Sequence, residues 1–153
     1  MSRLAALALV ACVLGLAAPR AQAGDVATVR VSATVLGVCK IVSVDDIRFG
    51  DLDPSRPVDV EAQGAVRLQC TRGVDYRLSV DSGQGFDAAA GRRRMRAGEA
   101  FLPYTLAAEA FSGIGTGFRV PIELPLAATL RGDDYRDLPA DTYTDTIRVL
   151  LEP

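Results

Sequence analysis

Histidine is missing from all 153 residues of this chain, and so is tryptophan. Without histidine there is no Ser-His-Asp or Cys-His nucleophile, no ordinary zinc site and no general base of the commonest kind. Without tryptophan, and with 6% aromatic residues, a core must rest on Val, Leu, Ile and a few Phe and Tyr. Basic residues are not in excess: 17 Lys and Arg face 19 Asp and Glu. A nucleic-acid partner is therefore not expected, since its binding needs surplus cations to displace counterions. Apart from the first twenty residues, no apolar run is long enough for a membrane anchor.

That first stretch reads as a targeting segment. A short basic start, Met1 to Arg3, leads into the unbroken apolar run "LAALALVACVLGLAA" from Leu4 to Ala18. Ala21-Gln22-Ala23 then supplies the small-x-small pattern of a signal-peptidase site. The run is too short to span a bilayer comfortably. A lipoprotein signal ending at Cys12 is the competing reading, weakened because the apolar run continues past that cysteine. The expected division is a signal peptide over 1–23 and one domain over 24–153. The exported part has 130 residues and a net charge near −4.

Export changes the meaning of the cysteines. Cys12 leaves with the signal, and Cys39 and Cys70 remain as an even pair in an oxidising compartment, where a disulfide is the natural state. Two buried free thiols are the alternative, which export disfavours.

The rest reads as strand after strand. Period-2 alternation places Val29, Val31, Ala33 and Val35 on one face, and it recurs in Val66-Leu68-Cys70, Tyr76-Leu78-Val80, Leu102-Tyr104-Leu106 and Val120-Ile122-Leu124. Pro103, Pro121 and Pro125 mark edges or bulges. Shorter strands are expected over 40–44 and 47–49, and a last one carries Ile147, Val149 and Leu151 on its inner face. Turn signals such as "DSGQG", "SGIGTG" and "RGDD" separate them. Many short strands at near-regular spacing predict an all-β sandwich. Residues 86–101, "FDAAAGRRRMRAGEAF", are expected to be a loop because Gly91 and Gly98 interrupt them.

Little here suggests chemistry. The adjacent pairs Asp45/Asp46 and Asp133/Asp134 cannot both face one site from a strand, and in a turn they face water. "DSGQGFD" is a poor calcium loop, since glycine stands where two ligand oxygens belong. The cluster Arg92 to Arg96 is a solvated loop or a contact for an anionic surface. No catalytic residue, cofactor site, metal site or small-molecule substrate is expected, and the chain does not read as an enzyme.

These pieces together resemble the spore coat protein U domain family, which includes pilins of archaic chaperone–usher pili of the Csu type. The stretches that carry the resemblance are "VSATVLGVCKI" from Val31, "IRFGDLDP" from Ile47, "GAVRLQCTRGVDYRLSVDSGQG" from Gly64, "RRMRAGEAFLPYTLA" from Arg93 and "DTYTDTIRVLL" from Asp141. Each is weak alone; their order and spacing cover nearly all of 26–151. Two departures stand out. Asp141 occupies a place where family members usually carry glycine, and the last strand finishes in "EP" rather than in apolar residues.

The resemblance implies an immunoglobulin-like sandwich that is incomplete, lacking its last strand. It implies a structural subunit of a pilus-like fibre, exported through the Sec pathway to the periplasm and then to the cell surface. The implied partners are a periplasmic chaperone, an outer-membrane usher and neighbouring copies that donate a strand. Candidate donor residues are Ala27, Val29, Val31, Ala33 and Val35, and Ile147, Val149 and Leu151 border the groove that receives them. The donor stretch could equally be an ordinary first strand of its own sheet. A secreted spore or cyst coat protein and a surface adhesin module are the alternative functions.

Overall fold

A computed structural model describes residues 24–153; the expected signal peptide lies outside the described residues. The described part divides at Ala33. Residues 24–33 contain no helix or strand and are exposed throughout.

The unit from Thr34 onward is built from β1 (Cys39–Asp45), β2 (Val60–Cys70), β3 (Asp75–Val80), β4 (Arg93–Ala97), β5 (Ala100–Leu106), β6 (Ala110–Ile114), β7 (Ile122–Leu130), a one-turn α1 (Gly132–Tyr135) and β8 (Val149–Glu152). They form two antiparallel sheets. The larger runs β1-β2-β7-β5-β4 and the smaller β6-β3-β8. The core is where the two sheets face one another: Val66, Leu68 and Cys70 of β2 and Leu124 and Leu126 of β7 pack on Tyr76, Leu78 and Val80 of β3. The alternation read from the sequence is what makes this possible, since every second side chain of each strand points to one face. A second cluster, Leu102, Leu130 and Tyr135, closes the end near β5 and α1. Fold class and layering are those expected, an all-β sandwich of two antiparallel sheets.

Four local expectations are corrected. No strand forms over 27–35. Residues 47–49 are not a strand either, although Ile47 and Phe49 still pack on the two core clusters. Val120 lies outside β7 and is exposed, while the strand runs on to Leu130. Finally, the expected loop over 86–101 contains β4. Its inner face is Arg93, Met95 and Ala97, opposite Tyr104, Leu102 and Ala100 of β5. Arg93 is buried because its guanidinium donates to Glu109 at 2.9 Å and to the Asp81 carbonyl.

The prolines sit where a missing N–H costs nothing. β5 and β7 pair only through Thr105–Thr129 and Leu106–Ala128, extended by a bond from Ala107 N to the Ala127 carbonyl. By the alternation of an antiparallel ladder, Pro103 and Pro125 aim their nitrogens at that same seam, beyond its two ends.

Candidate functional site: an open seam between two sheet edges

β1 and β8 are edge strands of different sheets. Among the described residues β1 pairs only with β2, and β8 only with β3. In an antiparallel pair, residues directly opposite each other share a face. Ile41 lies opposite Leu68 and Val44 opposite Val66, and both partners are 0% exposed in the core. Yet Ile41 is 36% exposed and Val44 53%. These two side chains point to the face of the core yet stay partly open to solvent.

The other wall is β8. Val149 and Leu151 lie opposite Val80 and Leu78, again core residues. Val149, Leu151 and the preceding Ile147 pack on the core and stay half-buried. Ile147 stands just before β8 rather than within it. The backbone of β8 is equally unfinished. Asp81 N donates to the Arg148 carbonyl at 2.9 Å, so Arg148, Leu150 and Glu152 turn their polar groups toward β3. Ile147, Val149 and Leu151 therefore turn N–H and C=O to the open side, unpaired along an edge lined with apolar side chains. Such an edge is a template for another strand.

Each wall is held in place. The Cys39–Cys70 disulfide, S–S 1.99 Å, ties the start of β1 to the end of β2. Farther along, Arg67 bridges Asp45 of β1 at 2.8 Å and Glu123 of β7 at 2.7 Å on the outer face. A bulge between Ile41 and Ser43 shifts the register of β1 and brings Val44, not Ser43, onto the inner face.

β8 is held at its start by Asp145. Its Oδ1 accepts from Gly85 N at 2.9 Å and Thr146 N at 2.8 Å, and its Oδ2 accepts from the Tyr104 hydroxyl at 2.7 Å. One carboxylate thus joins β5, the turn after β3 and the approach to β8. Burial, and then the neighbouring Asp145 carboxylate, push the Tyr104 hydroxyl well above the ordinary tyrosine range. Gly83 must be glycine here, for two reasons. Its φ is +84°, and a Cβ would run into the Asp145 carboxylate. Thr144 and Arg96 exchange backbone bonds at 2.8 and 3.1 Å, which straps the same segment across the outer edge of β4.

The donor candidates are in the opposite condition. Val29, Val31 and Val35 are 82%, 90% and 84% exposed, and Ala27 and Ala33 are exposed as well. None of the five lies in a strand. Alternation in the sequence marked the β8 wall and these valines. It missed Ile41 and Val44, because the bulge breaks the period in "KIVSV", and it missed Asp145 as the tie between sheets.

Comparison with known proteins adds one firm finding. A family model described as the Spore Coat Protein U domain matches residues 25–150. No curated protein matches. Among solved structures, the crystal structure of the CsuC–CsuE chaperone–tip adhesion subunit pre-assembly complex, from archaic chaperone–usher Csu pili of Acinetobacter baumannii, is similar at 22% identity and a TM-score of 0.48. The match covers 78% of this chain and 40% of that one.

Proposed function

Because the chain belongs to the Spore Coat Protein U domain family, we propose that it is an exported structural subunit of a pilus-like surface fibre, built by donor-strand exchange. A periplasmic chaperone first covers the seam between β1 and β8. At an outer-membrane usher, residues 27–35 of a neighbouring copy then take its place. The role is mechanical and needs no catalysis. The observation that carries this reading is the pair Ile41 and Val44, core-facing side chains left partly exposed, together with an unpaired β8 edge. A borrowed strand would complete the ladder with main-chain hydrogen bonds and fill the seam with alternate side chains. Donation of this kind is head-to-tail and does not close, so it builds fibres.

The test is self-complementation. A second copy of residues 24–36 is joined through a flexible linker after Pro153, and the fusion is compared with the unmodified chain in the periplasm. The fusion is expected to be monomeric, to bind less of a dye that reports exposed apolar surface, and to melt at a higher temperature. The unmodified chain is expected to depend on a co-expressed chaperone for its yield. An unmodified chain that is a stable monomer alone, and gains nothing from the added strand, overturns the reading.

The family description also names a spore coat protein. A coat component with this fold need not exchange strands, and the fusion experiment separates the two.

A further inference from the structure

Direction and register of the donated segment follow from parity and charge; this inference rests on the strand-donation reading above. The open edge of β8 offers the backbone of Ile147, Val149 and Leu151, whose side chains face the seam. Residues opposite them in a new strand must face the seam too. The apolar face of the donor is the odd-numbered one, with Val29, Val31, Ala33 and Val35. The even-numbered residues, Thr28, Arg30, Ser32 and Thr34, then lie outside, alongside Arg148, Leu150 and Glu152.

Charge chooses among the positions that parity allows. Arg30 is the sole base between Gly24 and Val38. Opposite Arg148 it meets a like charge, and opposite Leu150 it meets an exposed apolar side chain. Opposite Glu152 it meets a carboxylate that faces Arg77 of β3 across the ladder but makes no ion pair among the described residues. Direction follows from the one acid of the donor. A parallel strand with Arg30 beside Glu152 would drive Asp25, which shares the odd-numbered face, against Ile147 inside the apolar seam. An unpaired carboxylate does not belong there. An antiparallel strand in the same register leaves Asp25 beyond the end of β8. It also sets Val31 against Leu151, Ala33 against Val149 and Val35 against Ile147.

We infer that a second copy of this chain donates its segment antiparallel to β8, with Arg30 of the donor paired to Glu152 of the acceptor. Arg30 and Glu152 then form a pair without mutual backbone hydrogen bonds, the closer of the two kinds of cross-strand site. Cysteines at such a site are near enough to bridge.

Three double variants of the full chain test this: Arg30→Cys combined with Glu152→Cys, with Leu150→Cys or with Arg148→Cys. Each is expressed in the periplasm with the chaperone, assembled, treated with a mild oxidant and run on a non-reducing denaturing gel. A covalent ladder is expected from the Glu152→Cys combination, about fivefold or more above the other two. A ladder dominated by either of the others overturns the register while strand donation stands. No ladder from any combination overturns the register and direction inferred here, and the fusion experiment above then decides whether a strand is donated at all. Charge reversal gives a second readout that adds no cysteine. Arg30→Glu and Glu152→Arg should each slow assembly about two- to fivefold, as an exposed ion pair allows, and the double reversal should restore it. Single reversals without effect overturn the pairing.

Discussion

Tyr104 and Asp145 show what one hydrogen bond does in this fold. The Tyr104 hydroxyl is buried and donates to Asp145, which also receives two backbone amides. Tyr104→Phe should lower stability by about 1–2 kcal/mol at neutral pH, read as a shift in the denaturant midpoint. The pH dependence has a definite sign. Tyr104 holds its proton in the folded chain beyond the ordinary tyrosine value of 10.0, whereas the unfolded chain releases it near that value. Above about pH 10 the unfolded state binds fewer protons than the folded one, so stability declines as pH rises. The stabilisation is fully present below pH 10, and Tyr104→Phe should flatten the alkaline decline. Gly83 tests the same corner from the other side. Gly73 also has a positive φ, +79°, but open space where a Cβ would go. Gly73→Ala should cost about 1–2 kcal/mol, the price of a left-handed residue. Gly83→Ala adds the collision with Asp145 and should cost measurably more in the same denaturation series.

At the scale of elements, β1 is the strand most dependent on its ties. It has one neighbour, a bulge in the middle, and two apolar side chains left partly exposed on its inner face. The disulfide closes a separation of 31 residues, worth roughly 3–4 kcal/mol in the chain-entropy account. The double variant Cys39→Ala/Cys70→Ala should lose about that much. Hydrogen exchange should show the amides of residues 40–45 opening first, ahead of β2 and β7. The same strand marks the limit of what the sequence displays. Strands with an unbroken alternation, such as β2, β3 and the core half of β7, are legible because one face of each must be apolar. β1 is legible as a strand but not as a wall of the seam, since its bulge moves Val44 into the place parity gives Ser43. β4 is hidden for another reason. Its buried Arg93 is satisfied by Glu109 and by a carbonyl of Asp81, groups supplied by the next turn of the fold rather than by neighbours in sequence. An arginine looks like surface until its partners are known. The seam itself belongs to β1 and β8 together, strands about a hundred residues apart, and no local period can announce it.

For the whole molecule, the proposed strand exchange gives one chain two unlike roles, an accepting seam and a donated segment. In that proposed exchange the seam receives and residues 27–35 give, so removing one function leaves the other in place. Deleting residues 27–35 takes away no residue of the seam walls, Ile41, Val44, Ile147, Val149 and Leu151, and leaves the disulfide, Asp145 and both sheets untouched. The deleted chain should fold with the chaperone as the intact chain does. It can accept a strand at its seam but offers none, so it seals a growing end. Mixed with intact chain during assembly, it should shorten fibres in proportion to its share and at levels well below equimolar. A defect of folding would instead lower the total yield without changing the length distribution. Measuring fibre length by electron microscopy against the fraction of deleted chain separates the two. Lengths that stay constant while the deleted chain is incorporated would mean that this segment is not the donor, and the head-to-tail account of assembly would have to be given up.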